Sequence, residues 1–228
     1  MTIKVAIDGP AGAGKSTIAK NVAKQMGIPY VDTGAIYRGL TWEAINANIP
    51  LDDENALAQL AERLNIRFIP DGESQKVIVQ GIDITQAIRE PEISGKVSSI
   101  ATYPQVREKL LTIQMEMAES ERGVVMDGRD IGTSIIPDAD VKIFLTATLE
   151  VRAKRRFEEM MRQGYHLKLE KVLVELEARD QADQERKASP LRMADDAAAL
   201  DTSLLTIEEA SAMVAALCKV RLKNKGVQ

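Results

Sequence analysis

The fold of this chain is decided by a glycine-rich stretch near its N-terminus, Gly9-Pro10-Ala11-Gly12-Ala13-Gly14-Lys15-Ser16-Thr17. The part from Gly9 to Ser16 matches the pattern G-x-x-x-x-G-K-[ST] in full. The apolar run Ile3–Asp8 predicts a buried strand before it, and the amphipathic pattern of residues 16–26 predicts a helix after it. Strand, glycine-rich turn and helix in this order are the context in which the pattern forms a phosphate-binding loop.

The residue types of this loop suit a polyanion. The glycines allow the backbone to wrap around phosphates with its N–H groups pointing inward, and the helix that follows adds the positive end of its dipole. Lys15 is expected to reach the β and γ phosphates, and the Ser16 hydroxyl to bind Mg²⁺. The alternative, an ordinary glycine-rich turn between a strand and a helix, is disfavoured by the complete match and its flanks.

The composition limits the chemistry that the chain can perform. Its 228 residues include one Cys and one His, which excludes a disulfide framework and a Cys/His zinc cluster and disfavours a catalytic triad. The formal net charge is −4, whereas non-specific binding of nucleic acid depends on positive charge. Carboxylates, arginines, lysines, hydroxyls and the backbone remain for function.

The apolar runs predict a cytoplasmic protein. The first, Ile3–Ile7, alternates like a strand and does not resemble the core of a signal peptide. No run approaches the ~18 apolar residues that span a bilayer. We therefore expect no membrane partner. The negative net charge argues against nucleic acid as a partner. Nothing in the sequence suggests an obligate protein partner, so we expect a monomer.

Strand and helix patterns alternate along the chain, as is typical of an α/β fold with a parallel sheet. Further apolar runs of the type found in buried parallel strands occur at Tyr30–Asp32, Val124–Asp127, Val141–Leu145 and Ala199–Asp201. Amphipathic segments between them predict helices. We expect a P-loop doubly wound parallel sheet of about five strands flanked by helices.

Two insertions are predicted in this core. Residues 64–90 contain short β segments joined by hairpins, with a turn at Asp71-Gly72, and are expected to form a small antiparallel β insert. Residues 149–190 carry two charged helical segments, the second ending near Arg179, and are expected to form an arginine-rich helical lid. The core domain then comprises residues 1–63, 91–148 and 191–228.

Two polar clusters follow strands of the predicted core. Asp32-Thr33-Gly34-Ala35-Ile36-Tyr37-Arg38 begins where the second strand ends, and Asp127-Gly128-Arg129-Asp130 begins where a later strand ends. Both belong at the carboxyl edge of the sheet, where open α/β folds bind ligands. Simpler interpretations stay open: a capped helix N-terminus for the first cluster, and a turn with an ion pair for the second.

The motifs taken together resemble one known family. They are the Ile7-Asp8-Gly9-Pro10 start of the phosphate loop, the two polar clusters, the stretch Tyr103-Pro104-Gln105-Val106-Arg107 and the run Arg179…Asp183…Arg186. The combination closely resembles bacterial cytidylate kinases over nearly the whole chain. The β insert is similar to that family's enlarged region for binding a nucleoside monophosphate.

The resemblance implies transfer of the γ-phosphoryl group of ATP to CMP or dCMP with Mg²⁺, giving CDP or dCDP and ADP. It implies that the ATP phosphates bind at Gly9, Pro10, Ala11, Gly12, Ala13, Gly14, Lys15, Ser16 and Thr17. The residues expected to act in catalysis are Lys15, Arg129, Arg155 and Arg186.

The resemblance also assigns residues to the acceptor. The CMP phosphate is expected near Arg38, Arg129 and Arg186, with Thr33 and Tyr37 in the pocket. By similarity, Ser98, Arg107 and Asp130 surround the cytosine, and Arg179 and Asp183 approach the sugar. Cytosine offers an N4 amine donor and two acceptors, which suit a carboxylate together with an arginine. Uracil has an acceptor at position 4, so a carboxylate such as Asp130 facing it would lose its hydrogen bond and disfavour UMP.

Basic residues concentrate between Arg152 and Arg192. For any one of them, a solvated helix face that pairs with nearby glutamates stays the simplest interpretation. As a group they suit phosphoryl transfer, because its transition state needs cations and no nucleophile from the protein. We expect Arg155 or Arg156 to contact phosphates when the lid closes over ATP and excludes water.

Two other functions stay open on the residues alone. The first is a phosphate-loop kinase that acts on UMP or on the hydroxyl of a small metabolite. The second is an ATP-dependent switch without enzymatic activity, which the lack of a guanine-reading Asn/Thr-Lys-x-Asp motif disfavours.

Overall fold

The strands of the chain form two sheets. In the computed structural model, which describes residues 2–71 and 74–226, they are β1 (Lys4–Asp8), β2 (Tyr30–Asp32), β3 (Ile66–Asp71), β4 (Ser74–Val79), β5 (Ile82–Asp83), β6 (Val124–Gly128), β7 (Val141–Thr146) and β8 (Ala198–Asp201). Five of them form a sheet in the order β2-β6-β1-β7-β8, in which β1 pairs in parallel with β6 and β7. The other three form an antiparallel sheet in the order β3-β4-β5. The predicted fold class, a parallel sheet with a small antiparallel β insert, is confirmed.

Helices connect these strands, and several begin at the capping residues that the sequence offers. They are α1 (Lys15–Met26), α2 (Thr33–Asn46), α3 (Glu54–Glu62), α4 (Pro91–Ile100), α5 (Pro104–Ala118), α6 (Leu149–Arg162), α7 (Leu169–Glu185) and α8 (Ile207–Gly226). Asp32 and Asp53 cap α2 and α3 by accepting backbone N–H groups, and Thr148 does the same for α6. Within the described ranges, no helix is long and apolar enough to cross a membrane.

The chain divides into two compact units. The first combines the residues up to Tyr30 with those from Ala118 onward, and the second is Val31–Met117. In the first unit, β1 lies between β6 and β7, and the apolar core around it includes Ile7, Val125 and Cys218. In such a sheet the carboxyl ends of neighbouring strands form the ligand-binding edge. The division into core, β insert and lid stays a prediction.

The second unit contains the β insert and the helices around it. Gly39 of α2 faces β3 and β4, and a Cβ at this position would lie 3.1 Å from Ile66 and from Val79. The glycine therefore allows α2 to pack closely on the insert. The predicted turn at Asp71-Gly72 lies partly outside the described residues, although the register pairs Asp71 with Ser74.

The second lid helix is longer than predicted. We expected it to end near Arg179, whereas α7 continues to Glu185. Its buried apolar residues end at Leu176, and the inward-facing side chains that follow are Asp180 and Asp183, which pair with arginines. The apolar pattern in the sequence stops near Leu176, because the last turns of α7 contact the rest of the protein through ion pairs and not through apolar side chains.

Candidate active site

The loop between β1 and α1 adopts backbone conformations that favour glycine. The φ angles of Gly9, Gly12 and Gly14 are 147°, 76° and 90°. A Cβ on Gly9 would overlap the carbonyl oxygen of Leu145 in the neighbouring strand β7. Gly14 precedes α1 and has no side chain that could cap it, and a helix N-terminus without such a cap can bind an anion.

Lys15 lies across this loop. Its Nζ donates a hydrogen bond of 2.7 Å to the carbonyl oxygen of Pro10, and the side chain is buried. Burial lowers the pKa of Lys15 to about 7, and repulsion from the Arg129 charge adds to the shift. An incoming phosphate would supply the negative charge that this cation needs.

Ser16 is connected to the end of β6. Its Oγ donates a hydrogen bond of 2.9 Å to Oδ2 of Asp127, and the Tyr30 hydroxyl donates one of 2.6 Å to Oδ1 of the same carboxylate. Sequence reasoning gave Asp127 no role of its own. The signal that could have identified it is its position where an apolar strand ends.

Arginines and aspartates at the end of β6 form ion pairs with those at the C-terminal end of α7. Nε of Arg129 donates to Oδ2 of Asp183 at 2.7 Å. The Arg186 guanidinium lies 3.3 Å from Oδ1 of Asp130 and 3.5 Å from Oδ1 of Asp183. Burial alone would raise the pKa of Asp183, but the charges of Arg129, Arg179 and Arg186 hold it below its ordinary value. The structure thus brings together the five predicted acceptor residues of the first unit.

Asp8, the last residue of β1, anchors the segment that follows Asp130. Its two carboxylate oxygens accept hydrogen bonds from the backbone N–H groups of Ile131 (2.7 Å) and Gly132 (2.8 Å). These residues begin a wide helical turn, Ile131–Ile135, in which the Ile136 N–H binds the Ile131 carbonyl. Asp8 therefore holds the backbone next to the Arg129-Asp130 pair.

The stability contribution of Asp8 is expected to depend on pH. Burial raises the pKa of Asp8 to about 6 from 3.8, so between these values the folded state holds a proton that the unfolded state releases. Its stabilising effect is complete below pH 3.8 and is lost as the pH rises through 6. Relative to Asp8→Asn, the free energy of unfolding of the unsubstituted protein should fall by about 2 kcal/mol between pH 4 and pH 7. Urea denaturation at a series of pH values measures this difference, and equal pH profiles for the two proteins would contradict it.

In the second unit, the structure places Thr33 and Arg38 at the start of α2. Thr33 is buried, and Nη2 of Arg38 pairs with Oδ2 of Asp32 at 2.7 Å. Asp32 also caps the helix through Oδ1, which accepts from the Ala35 N–H at 2.9 Å. A Cβ on Gly34 would lie 2.9 Å from Arg38 Nη1, so the glycine leaves room for Arg38 to fold back on Asp32. The helix cap that was the simpler interpretation of this cluster is therefore present, and binding of the acceptor by Thr33 and Arg38 stays a prediction.

Tyr37 and Arg107, both predicted to bind the acceptor, contact each other. The Arg107 guanidinium lies 5.5 Å from the centroid of the Tyr37 ring, within the range of a cation–π interaction. Both side chains are buried, and Arg107 Nη1 donates to the carbonyl oxygen of Ala101 at 3.3 Å. Ser98 lies in the same unit on α4 and is half-buried.

Arg155 and Arg156, one of which is predicted to contact phosphates, both have protein partners here. Arg155 donates to the Oγ1 and the carbonyl oxygen of Thr202, at 3.0 and 2.5 Å. Arg156 pairs with Glu159 on its own helix at 2.8 Å. A phosphate contact by either one would replace these bonds, and the phosphate role of Arg155 stays a prediction.

Comparison with known proteins decides the family. The sequence model of the family described as cytidylate kinase matches residues 5–220. The chain belongs to the cytidylate kinase family. It is 49% identical over 207 residues to a cytidylate kinase of Bacillus subtilis (strain 168), a match that covers 91% of this chain and 92% of that protein. It is 52% identical over 207 residues to a cytidylate kinase of Desulfitobacterium hafniense (strain Y51), covering 91% and 88%. The resemblance inferred from the motifs is confirmed.

Solved structures agree on the fold of this family member. A gluconokinase from Sinorhizobium meliloti 1021 superposes with a TM-score of 0.51 at 14% identity, covering 99% of this chain and 97% of that one. A shikimate kinase from Bacteroides thetaiotaomicron gives a TM-score of 0.50 at 14% identity, covering 96% and 99%. At this identity the likeness concerns the fold alone.

Proposed function

We propose that this protein transfers the γ-phosphoryl group of ATP to CMP or dCMP, giving ADP and CDP or dCDP. The observation that carries the proposal is membership of the cytidylate kinase family over residues 5–220, together with a glycine-built phosphate loop at the end of β1. In the reaction, an oxygen of the acceptor phosphate attacks the γ phosphorus while the bond to the β-phosphate oxygen breaks. The protein has to position two anions and to stabilise charge, and it forms no covalent bond itself.

The cations of the first unit suit this task. Lys15 lies across the phosphate loop. Arg129 is half-buried and pairs with Asp183 of α7, and Arg186 is buried and pairs with Asp130. We assign Lys15 to the β and γ phosphates and the two arginines to the acceptor phosphate. Guanidinium groups keep their charge and match phosphate oxygens with two parallel donors, which favours arginine for the second role.

The donor chemistry at the start of α1 fits Mg²⁺. Ser16 and Asp127 offer a hydroxyl and a carboxylate whose oxygens lie 2.9 Å apart, and Mg²⁺ is usually held by one or two protein oxygens together with phosphates and water. In the part of the chain that the structure describes, no group of three or more His, Cys, Asp or Glu side chains could form an all-protein metal site. When bound, Mg²⁺ would neutralise charge on the β and γ phosphates.

The remaining acceptor residues support a cytosine base. We propose that Asp130 offers its carboxylate to the N4 amine of cytosine, and that Arg179 and Asp183 contact the sugar. The roles of Ser98 and Arg107 toward the base stay predictions. The lid role of residues 149–190, the cytoplasmic location and the monomeric state stay predictions.

A panel of acceptors tests the proposal. We expect ADP release, followed by a coupled assay with ATP and Mg²⁺, to be fastest with CMP and dCMP and at least tenfold slower in kcat/KM with UMP, because a carboxylate facing the O4 of uracil loses a hydrogen bond. AMP and a sugar acid serve as controls. A preference for UMP, AMP or the sugar acid would contradict the proposed acceptor, and ATP hydrolysis without transfer to any of them would contradict kinase activity.

A further inference from the structure

We infer that Arg152 is a positioning residue for the phosphate loop, and that Asp180 holds it in place. Arg152 lies in the first turn of α6, and neither the motifs nor the proposed function gives it an individual role. Its side chain is 8% exposed, whereas arginine side chains usually keep their charged ends in water. The inference rests on the proposed binding of ATP at the phosphate loop.

The Arg152 guanidinium connects three segments of the first unit. Its Nε donates to the carbonyl oxygen of Ala147, just before α6, at 2.9 Å. Its Nη1 donates to the carbonyl oxygen of Ala11 in the phosphate loop at 3.1 Å and pairs with Oδ2 of Asp180 on α7 at 2.5 Å. One side chain therefore joins the loop to both helices of the predicted lid.

The contact with Ala11 fixes the orientation of a peptide group in the loop. In a trans peptide, the C=O of one residue and the N–H of the next point in opposite directions. When Arg152 holds the carbonyl of Ala11, it also turns the N–H of Gly12 the opposite way, toward the side on which the loop can receive an anion. Arg152 thus acts on ATP through the backbone of the loop and needs no contact with the nucleotide.

Close packing supports the same connection. A Cβ on Gly12 would lie 3.0 Å from the Cβ and from the backbone oxygen of Arg152. Ala11 is buried in a small apolar cluster with Ala153 of α6 and with Val172 and Leu176 of α7. The first half of the phosphate loop therefore rests on the helical hairpin α6–α7.

Asp180 supplies the charge that keeps Arg152 buried. Oδ2 of Asp180 pairs with Arg152, whereas its buried Oδ1 has no hydrogen-bond partner among the described residues. Asp183, one turn further along α7, pairs with Arg129 at the end of β6. Helix α7 therefore pairs one carboxylate with the arginine that holds the phosphate loop, and the next with an arginine that we assign to the acceptor phosphate.

Binding measurements on a double-mutant cycle test the inference. We expect Arg152→Gln and Asp180→Asn each to weaken ATP binding about tenfold, measured by isothermal titration calorimetry with Mg²⁺ and without acceptor, because the loop loses one oriented donor. CMP affinity should stay within about twofold, and the KM for ATP should rise while the KM for CMP does not. The double variant should be no weaker than Arg152→Gln, because Asp180 acts through Arg152.

The matched control is Glu175→Gln, which removes one negative charge from the exposed Lys171–Glu175 pair on the same helix. It should bind ATP as the unsubstituted protein does. Folded variants with unchanged ATP affinity, or losses that add up in the double variant, would overturn the inference. Asp180→Asn decides the matter if Arg152→Gln does not fold. Failure of the unsubstituted protein to bind ATP would refute the proposed function instead.

Discussion

Replacing Lys15 with alanine is expected to lower kcat by about three orders of magnitude and to leave the fold intact. Lys15 is the cation placed across the phosphate loop, where negative charge develops on the β–γ bridging oxygen during transfer. Its pKa is already lowered to about 7 by burial and by Arg129, so its ammonium group is held at a cost to folding. The Tm of Lys15→Ala should therefore equal or exceed that of the unsubstituted protein. Steady-state kinetics with ATP and CMP and a thermal melt measure the two effects.

Lys24→Ala is the matched control for Lys15→Ala. Lys24 lies in the last turn of the same helix and is exposed, so the substitution removes an equal charge far from the loop. Its kcat should stay within about twofold of the unsubstituted value, as is usual for surface positions. A folded Lys15→Ala protein that keeps its full rate would refute the assignment of Lys15.

Replacing Arg186 with methionine is expected to lower kcat/KM for CMP by about three orders of magnitude, with ATP affinity within twofold. The side chain is 3% exposed and lies between Asp130 and Asp183, so its donors are already oriented by two carboxylates. An acceptor phosphate would lose both the charge and the paired donors of the guanidinium. Calorimetry of ATP binding and steady-state kinetics with CMP separate the two substrates.

Two further variants make the Arg186 experiment decisive. Arg186→Lys keeps the charge without the planar fork, and it should recover part of the activity but not all of it. Arg122→Met removes an exposed arginine whose Nη2 binds the Gly27 carbonyl, and it should leave kcat/KM unchanged. If folded Arg186→Met retains kcat/KM for CMP within tenfold, Arg186 does not bind the acceptor phosphate. Because removal of one partner from a buried ion pair is destabilising, the melt of each variant has to be recorded.

Local patterns were sufficient to predict most of the fold. The apolar runs at residues 3–8, 124–127 and 141–145 became β1, β6 and β7, because buried parallel strands need short apolar segments whatever surrounds them. The phosphate loop was predictable because its glycines are required by the backbone itself, as Gly9 against Leu145 shows. The end of α7 was not, because its last two turns are held by ion pairs to arginines far along the chain.

The candidate site was predictable in its residue types and less so in its contacts. Arg129, Asp183 and Arg186 were named from motifs, and the structure brings them together. Neither the link from Arg152 to Ala11 nor that from Ser16 to Asp127 has a local signal, because the partners are 141 and 111 residues apart. Such pairs can be identified only from the three-dimensional structure, in which the sheet brings the ends of distant strands together.

The position of β1 between β6 and β7 has a consequence for synthesis on the ribosome. The phosphate loop and β1 are made before both neighbours of this strand, because β6 and β7 begin after residue 120. Translation proceeds at about 5–20 residues per second, so β1 remains without its neighbouring strands for on the order of ten seconds. During this time, Val31–Met117 can form contacts within itself. The nascent chain must therefore keep an apolar β-strand unpaired during elongation.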